Sequence, residues 1–164
     1  MPFEILTKIL NEGFQKPLNY SKLECSLFVL QSSIDLLECD SQPSEIIKQL
    51  FSIINTLDGN LMISYTTINL IADASSQIRF FPEFSSPITE YLLKLSVNPI
   101  FSKSSSKALL SLFENASINI NLDILNMLYS HIQSNFDIIP SEHFSMLAEA
   151  LGHRASKSIS NEVK

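Results

Sequence analysis

The sequence predicts an all-α protein in which antiparallel helix pairs repeat along the chain and stack into a right-handed superhelix. Apolar residues recur at intervals of three and four positions, and no segment of useful length alternates with period two. Odd-numbered helices are expected to begin near residues 21, 60, 102 and 141, and even-numbered helices near 44, 87 and 121. A helix pair every ~40 residues is the period of HEAT and armadillo repeats, whereas tetratricopeptide and ankyrin repeats recur at ~34 and ~33 residues.

One array of this kind accounts for residues 1–164 as a single HEAT-repeat segment. Helix pairs are predicted at 21–58, 60–97 and 102–137, with partial repeats at 1–17 and 141–164. Because one pair cannot bury its apolar side alone, neighbouring pairs are expected to share a core. Neither predicted end carries a polar cap, so we expect a fragment of a longer array that associates weakly with itself when isolated.

The first two helices have apolar faces of helical spacing. Ser21 and Glu24 have the spacing of a capping box, in which each side chain bonds the other residue's backbone N–H. The first helix is expected to bury a seam that comprises Leu23, Leu27, Leu30, Ile34 and Leu37. The second helix is predicted from Ser44 to Leu57, and its apolar face comprises Ile46, Ile47, Leu50, Ile53, Ile54 and Leu57.

The third helix is predicted from Asn60 to Phe80, and the fourth is expected to follow with Ser86 as N-cap and Pro87 as its first residue. Between them, residues 81–84 are interpreted as a turn packed under the edge of the array, with a docking site for a partner as the alternative. The buried stripe of the third helix is expected to contain Leu61, Tyr65, Ile68, Ala72, Ser75 and Ile78. That of the fourth is expected to contain Ile88, Tyr91, Leu92 and Leu95.

Three further helices are predicted to start near Ser102, Asn121 and Ser141. Residues 102–107 are rich in serine and are interpreted as a polar helix start, with a phosphorylation site as the alternative. Residues 158–164 are expected to begin another element. The apolar faces comprise Ala108, Leu109, Leu112, Phe113 and Ala116, then Leu125, Leu128, Tyr129 and Ile132, then Phe144, Leu147, Ala148, Leu151 and Ala155.

Composition excludes several classes of protein. Apolar residues make up 45% and charged residues 17%, which argues against a disordered chain. The net charge of −6 offers no basic stripe for nucleic acid. The sequence contains no run of about 20 apolar residues, the length that a membrane-spanning helix needs. Two cysteines, Cys25 and Cys39, are too few for a disulfide framework and are expected to be reduced thiols.

No sequence motif predicts catalysis, a cofactor or a bound metal. There is no zinc-binding spacing, phosphate-binding loop or nucleophile elbow. The three histidines, His131, His143 and His153, are separated along the chain, and the nearby carboxylates Asp35 and Glu38 are interpreted as a solvated helix end. The sequence therefore predicts a protein that is not an enzyme.

Several segments together resemble the importin-β superfamily of nuclear transport receptors, in particular its transportin-SR and importin-thirteen branch. Ile63–Asp73 is similar to the family stretch V-R-Y-T-x-I-x-L-[IV]-G-E, and Phe81–Leu92 to N-P-x-F-x-x-P-V-x-x-Y-L. Glu24–Leu30 resembles E-A-x-L-F-V-[ML], and Ser106–Leu109 resembles A-A-K-A-[IL]. The chain departs from the family where Ser64 replaces Arg and Ala72 replaces Gly.

The resemblance implies a segment of a receptor that carries protein cargo through the nuclear pore, with a Ran-type GTPase and nucleoporins as further partners, and that shuttles between nucleus and cytoplasm. A non-transport HEAT scaffold or adaptor subunit is the alternative. In this family the even-numbered helices line the concave side. The candidate partner-binding residues are therefore Glu45, Lys48, Gln49, Glu90, Lys94, Asp123 and Asn126, with Ser52, Thr89 and Ser130 beside them. Simple solvation is the alternative interpretation of each.

Overall fold

The computed structural model describes residues 8, 11–12, 19–34, 45–54, 57, 60–115 and 122–162, with side chains described as far as His153. In these ranges every regular element is helical, which confirms the all-α prediction. The α-helices are α1 (Tyr20–Ser32), α2 (Glu45–Ile53), α3 (Leu61–Asp73), α4 (Ser85–Ser96), α5 (Ser102–Asn115), α6 (Leu122–Ser134) and α7 (Ser141–Glu162). The 3-10 helices Ser75–Phe80 and Pro82–Phe84 connect α3 to α4. The predicted partial repeat at 1–17 lies outside the described residues except for Lys8, Asn11 and Glu12.

The helices begin at nearly constant intervals. The odd-numbered helices start at residues 20, 61, 102 and 141, which are 41, 41 and 39 residues apart. The even-numbered helices start at residues 45, 85 and 122, which are 40 and 37 residues apart. The even-numbered intervals are more uniform than those expected from the sequence, because α4 begins at Ser85 rather than at Pro87.

The odd-numbered helices form a row in which each packs on the next: α1 on α3, α3 on α5, and α5 on α7. Helices α4 and α6 contact each other beside this row, and they pack on α5 and α7 respectively. The ion pair between Lys103 and Glu142 lies near the starts of α5 and α7, and that between Glu114 and His153 lies further along both helices. Helices α5 and α7 therefore run in the same direction.

The buried side chains follow most of the predicted seams, because apolar groups three and four positions apart share one side of a helix. Leu23, Leu27, Leu30 and Ile34 are buried in and just after α1. The predicted faces of α4 and α5 are also buried and comprise Ile88, Tyr91, Leu92, Leu95, Ala108, Leu109, Leu112 and Phe113. Leu37, Cys39 and Ala116 lie outside the described residues.

Two predicted helix starts are wrong. Asn19, rather than Ser21, caps α1, since its Oδ1 accepts a hydrogen bond from Lys22 N at 3.1 Å. The amide side chain satisfies a first-turn N–H that has no partner within the helix. Helix α4 begins at Ser85 rather than after Ser86, and Pro87 is its third residue. Proline is tolerated there because first-turn N–H groups have no intrahelical acceptor.

The predicted third helix is divided in two. Helix α3 ends at Asp73, and after Ala74 the chain tightens into the 3-10 helix Ser75–Phe80. The predicted stripe is correspondingly wrong at its start, because Leu61 and Tyr65 are more than half exposed. The face of α3 that is buried instead includes Ile63, Thr67, Ile68, Leu70 and Ile71.

Three of the four serines at the start of α5 are buried, which argues against phosphorylation of those three; Ser104 is partly buried. Ser102, Ser105 and Ser106 are almost fully buried where α5 packs between α3, α4 and α7. Ser105 Oγ donates to Phe101 O at 2.8 Å, so its hydroxyl proton is satisfied within the helix. At the other end of the chain, α7 continues to Glu162, and the new element expected at residue 158 is absent from the described part of α7.

Candidate partner-binding surface

The exposed residues of α2, α4 and α6 form the candidate site, which we call the even-row surface. Of the residues that the sequence predicts to bind a partner, six are exposed: Glu45 and Gln49 on α2, Glu90 and Lys94 on α4, and Asp123 and Asn126 on α6. Lys48 is half-buried. Thr89 does not belong to this surface: it is 1% exposed, and its hydroxyl donates to Ser85 O at 2.8 Å.

Aromatic packing joins α2 to the start of α4. The Phe51 ring centroid lies 6.4 Å from that of Phe81 and 6.2 Å from that of Phe84. The Lys48 ammonium lies 5.9 Å from the centroid of the Phe81 ring, within the range of a cation–π contact. Phe81 is buried and Phe84 is partly buried, which agrees with the predicted packed turn, whereas Pro82 and Glu83 between them are exposed.

A histidine network joins α4 to α6. His131 Nε2 lies 2.9 Å from Ser96 Oγ, and Ser96 Oγ donates to Leu93 O at 2.8 Å. On the other side of the ring, Asn135 Nδ2 lies 3.4 Å from His131 Nδ1 and donates to His131 O at 2.8 Å. Burial lowers the pKa of His131 below its ordinary value of 6.5, because an imidazolium loses hydration there.

Tyr129 is a surface residue that the sequence analysis placed in the core. It is 50% exposed on α6, and Gln133 Nε2 donates to its hydroxyl at 2.7 Å. The buried stripe of α6 is instead Ile124, Leu128 and Ile132, with a strict spacing of four. Tyr129 directly follows Leu128, the centre of that stripe, and therefore lies about 100° around the helix from the buried side.

The charges of the even-row surface are mixed. The surface carries three carboxylates, those of Glu45, Glu90 and Asp123, and two ammonium groups, those of Lys48 and Lys94. Asp123 lies in the first turn of α6, where a negative charge stabilises the helix N-terminus. Lys94 and Asp123 also interact with other groups of the chain. The surface therefore has polar recognition groups of both signs, with an acidic excess.

A second group of titratable side chains lies between α5 and α7, away from the predicted site. His153 Nε2 is 3.5 Å from Glu114 Oε1 and 3.8 Å from Glu149 Oε1. Ligand atoms of the three residues lie within 4.8 Å of one another, the reach of a metal ion. All three side chains are at least 41% exposed, so water screens the contacts between them, and the arrangement by itself is no evidence of a bound metal ion.

An open cavity of about 450 Å³ lies where α1 meets α3. Phe28, Gln31, Ser32, Ile34 and Asp73 line it, and Gln31 Nε2 donates to Asp73 Oδ2 at 2.8 Å. Asp73 is the one carboxylate of this lining, and no histidine, cysteine or lysine accompanies it among the described residues. The lining does not present a nucleophile paired with a base.

Comparison of the chain with family models, curated proteins and solved structures gives no match in any of the three. No helix in the described ranges combines the length and the apolar character needed to cross a membrane.

Proposed function

We propose that the chain is a protein-binding segment of a HEAT-type helical-repeat array and that its even-row surface contacts the partner. The observation that carries this proposal is the narrow range of sequence offsets between polar side chains that meet across helices. In a repeat array each helix contacts its equivalent in the next unit, so the offset equals the repeat length.

The polar contacts between helices have offsets of 35 to 42 residues. Gln31 bonds Asp73, 42 residues away, at 2.8 Å. Ser75 Oγ lies 3.1 Å from Ser111 Oγ, 36 residues later in the chain. Asn115 Nδ2, 40 residues after Ser75, donates to Ser75 Oγ at 2.9 Å. The same relation continues with Ser96 and His131 at 2.9 Å, and with Ser102 and His143 at 2.8 Å.

The turns that join successive pairs are also alike, which supports the same proposal. Between α4 and α5, Asn98 O accepts hydrogen bonds from the N–H groups three and four residues later, at 3.0 and 2.8 Å. Between α6 and α7, Asn135 O accepts from the N–H groups three and four residues later, both at 3.0 Å. Each turn then buries one apolar residue, Phe101 in the first and Ile139 in the second.

A stacked array offers a long surface with many polar groups, which suits recognition of a protein better than catalysis. We assign no catalytic role, cofactor or metal to the chain. The acidic net charge of −6 and the acidic excess on the even-row surface favour a basic partner. No nucleic-acid or membrane partner is part of the proposal.

The resemblance at residues 62–92 supports a finer proposal, a segment of a nuclear transport receptor of the importin-β superfamily. Protein cargo, a Ran-type GTPase and phenylalanine-glycine nucleoporins would then be partners of the whole receptor, which would shuttle between nucleus and cytoplasm. A HEAT scaffold without a transport role shares the fold and differs in its response to Ran.

The even-row assignment is tested by charge reversal. Glu45, Glu90 and Asp123 are changed together to Lys, and binding of a fluorescent Lys/Arg-rich nuclear-localisation peptide is followed by anisotropy at physiological salt. We expect at least a tenfold loss of affinity, because three attractive carboxylates become repulsive. The matched control reverses three exposed carboxylates outside that surface, Glu83, Glu142 and Glu149.

Equal affinity of the two triple variants for the peptide would refute the assignment of the even-row surface. The transport proposal has a separate test in the longer receptor that the sequence predicts: GTP-loaded Ran should change the affinity for the peptide. If the affinity for the peptide is the same with and without GTP-loaded Ran, the transport role is wrong and the scaffold alternative is favoured. That result would leave the even-row assignment unchanged.

A further inference from the structure

The open cavity where α1 meets α3 has both polar and apolar walls. Gln31 Nε2 donates to Asp73 Oδ2 at 2.8 Å, a hydrogen bond that joins the two helices across the cavity lining. Ser32 Oγ donates to Phe28 O at 2.9 Å within α1. Ile34, which is 6% exposed, and the Phe28 ring supply the apolar part of the lining. Packing of α1 on α3 therefore brings these groups together.

The lining offers more hydrogen-bond acceptors than donors. A carboxylate has about four lone-pair sites, and Gln31 uses one of those on Asp73. The hydroxyl proton of Ser32 is already donated to a carbonyl, so Ser32 Oγ can only accept from a ligand. Gln31 keeps its side-chain oxygen as an acceptor and one amide proton as a donor. A ligand that donates several hydrogen bonds suits this lining, and an anion does not.

The cavity also favours a positive charge. Asp73 is the one charged residue of the described lining, and no cation among the described residues forms an ion pair with it. Phe28 is 63% exposed, and the face of an aromatic ring attracts cations. A carboxylate and an exposed aromatic ring thus line the same cavity, and no basic side chain opposes them among the described residues.

We propose that this cavity binds an arginine side chain of a partner protein. The guanidinium group carries a positive charge, has five N–H donors and no acceptor, pairs with carboxylates and stacks on aromatic rings. Its methylene stem has the apolar surface of Ile34 to lie on. Lysine has the same charge, but its ammonium is a compact and strongly hydrated group that does not stack. Arginine is therefore preferred over lysine.

The shape of the cavity favours a side chain presented by a protein over free arginine. Sites for free small molecules bury most of the ligand surface, whereas this cavity is open to solvent. Free arginine also brings its own carboxylate close to Asp73, which repels it. The cavity lies between the odd-numbered helices α1 and α3, so this site is separate from the even-row surface and does not depend on it.

Binding is tested by nuclear magnetic resonance on the full chain, titrated with the blocked tripeptide acetyl-Gly-Arg-Gly-amide at neutral pH. Backbone amides of residues 28–34 and 71–74 should shift saturably. The same tripeptide with citrulline, which has a similar shape and no charge, should bind about fivefold more weakly. The lysine tripeptide and free arginine should also bind more weakly than the arginine tripeptide.

Three outcomes would contradict the proposal. If the arginine and citrulline tripeptides bind equally, or if these amides do not shift saturably, the cavity is not a guanidinium site. If free arginine binds as tightly as the tripeptide, the ligand is a small molecule rather than a side chain of a protein.

Variants assign the binding to the cavity. Asp73→Asn removes the charge and keeps an oxygen that accepts from Gln31, so the contact between α1 and α3 is retained. It should weaken binding of the arginine tripeptide about fivefold, and Phe28→Ala should weaken it about threefold. Glu83→Gln is the matched control, because it neutralises an exposed carboxylate outside α1 and α3 and should leave the affinity unchanged. Equal affinity of Asp73→Asn and Glu83→Gln would overturn the assignment.

The triple lysine variant of the even-row surface separates the two proposed sites. It should still shift the amides of residues 28–34 when the arginine tripeptide is added. If the triple variant loses the tripeptide and Asp73→Asn keeps it, the arginine binds at the even-row surface and the cavity assignment is wrong. Loss of binding in Asp73→Asn alone would support the cavity and leave the even-row assignment to its own test.

Discussion

Replacing Phe113 by Ala should be among the most damaging single changes in this chain. Phe113 is 0% exposed on α5, the helix that packs on α3, α4 and α7. Burial of a phenylalanine side chain contributes about 1.5–3 kcal/mol of transfer free energy. The cavity left behind raises the cost of Phe→Ala in a core to about 3–5 kcal/mol, because three neighbouring helices cannot all collapse into it. A domain of ordinary stability, about 5–15 kcal/mol, would lose about a fifth of it or more.

Urea unfolding followed by circular dichroism at 222 nm measures this loss, and a thermal scan should show a fall in Tm of roughly 6–20 °C. Phe28→Ala is the matched control, because Phe28 is 63% exposed on α1 and its removal should change stability by no more than about 0.5 kcal/mol. If both variants lose the same stability, or if Phe113→Ala loses less than about 1 kcal/mol, α5 is not the centre of the packed core.

Three smaller changes test single contacts by urea unfolding. Asn60→Ala should cost about 1 kcal/mol, because Asn60 Oδ1 accepts from Met62 N at 3.0 Å and caps α3; no loss would contradict the cap. Ser75→Ala and Ser111→Ala should couple by about 0.5 kcal/mol or more in a double-mutant cycle, since the hydroxyls meet at 3.1 Å; additive losses would refute the contact. Ser106→Ala should be neutral or stabilising, because Ser106 Oγ is buried without a hydrogen-bond partner among the described residues; a loss above about 1 kcal/mol would reveal a hidden partner.

Helix periodicity was sufficient to predict the all-α class and most helix positions. Apolar side chains at steps of three and four dictate one buried face per helix wherever the face is strongly apolar, as in α1 and α5. The predicted boundaries were weakest where several polar residues competed to start a helix. Asn19 and Ser21 both offer a capping oxygen, and only the backbone geometry at Asn19 selects between them.

The candidate surface was predicted in outline and corrected in detail. Glu45, Glu90 and Asp123 are exposed as expected, since charged side chains leave water only when paired. The prediction is wrong for Thr89 and Tyr129: the threonine, expected on the surface, is buried, and the tyrosine, expected in the core, is exposed. Threonine can be buried because its hydroxyl bonds a carbonyl of its own helix, whereas tyrosine keeps an exposed polar tip.

The sequence by itself determined that this chain is helical, acidic and regularly spaced, because these properties depend on residues close together along the chain. Tertiary structure alone decided which helices touch and which polar atoms meet. Ser96 and His131 are 35 residues apart, and nothing in either local segment marks them as partners. The local sequence around a serine does not show whether its hydroxyl contacts water or a histidine. Which polar side chains meet depends on how far each helix is shifted along its neighbour, and the packing of the two apolar faces sets that shift.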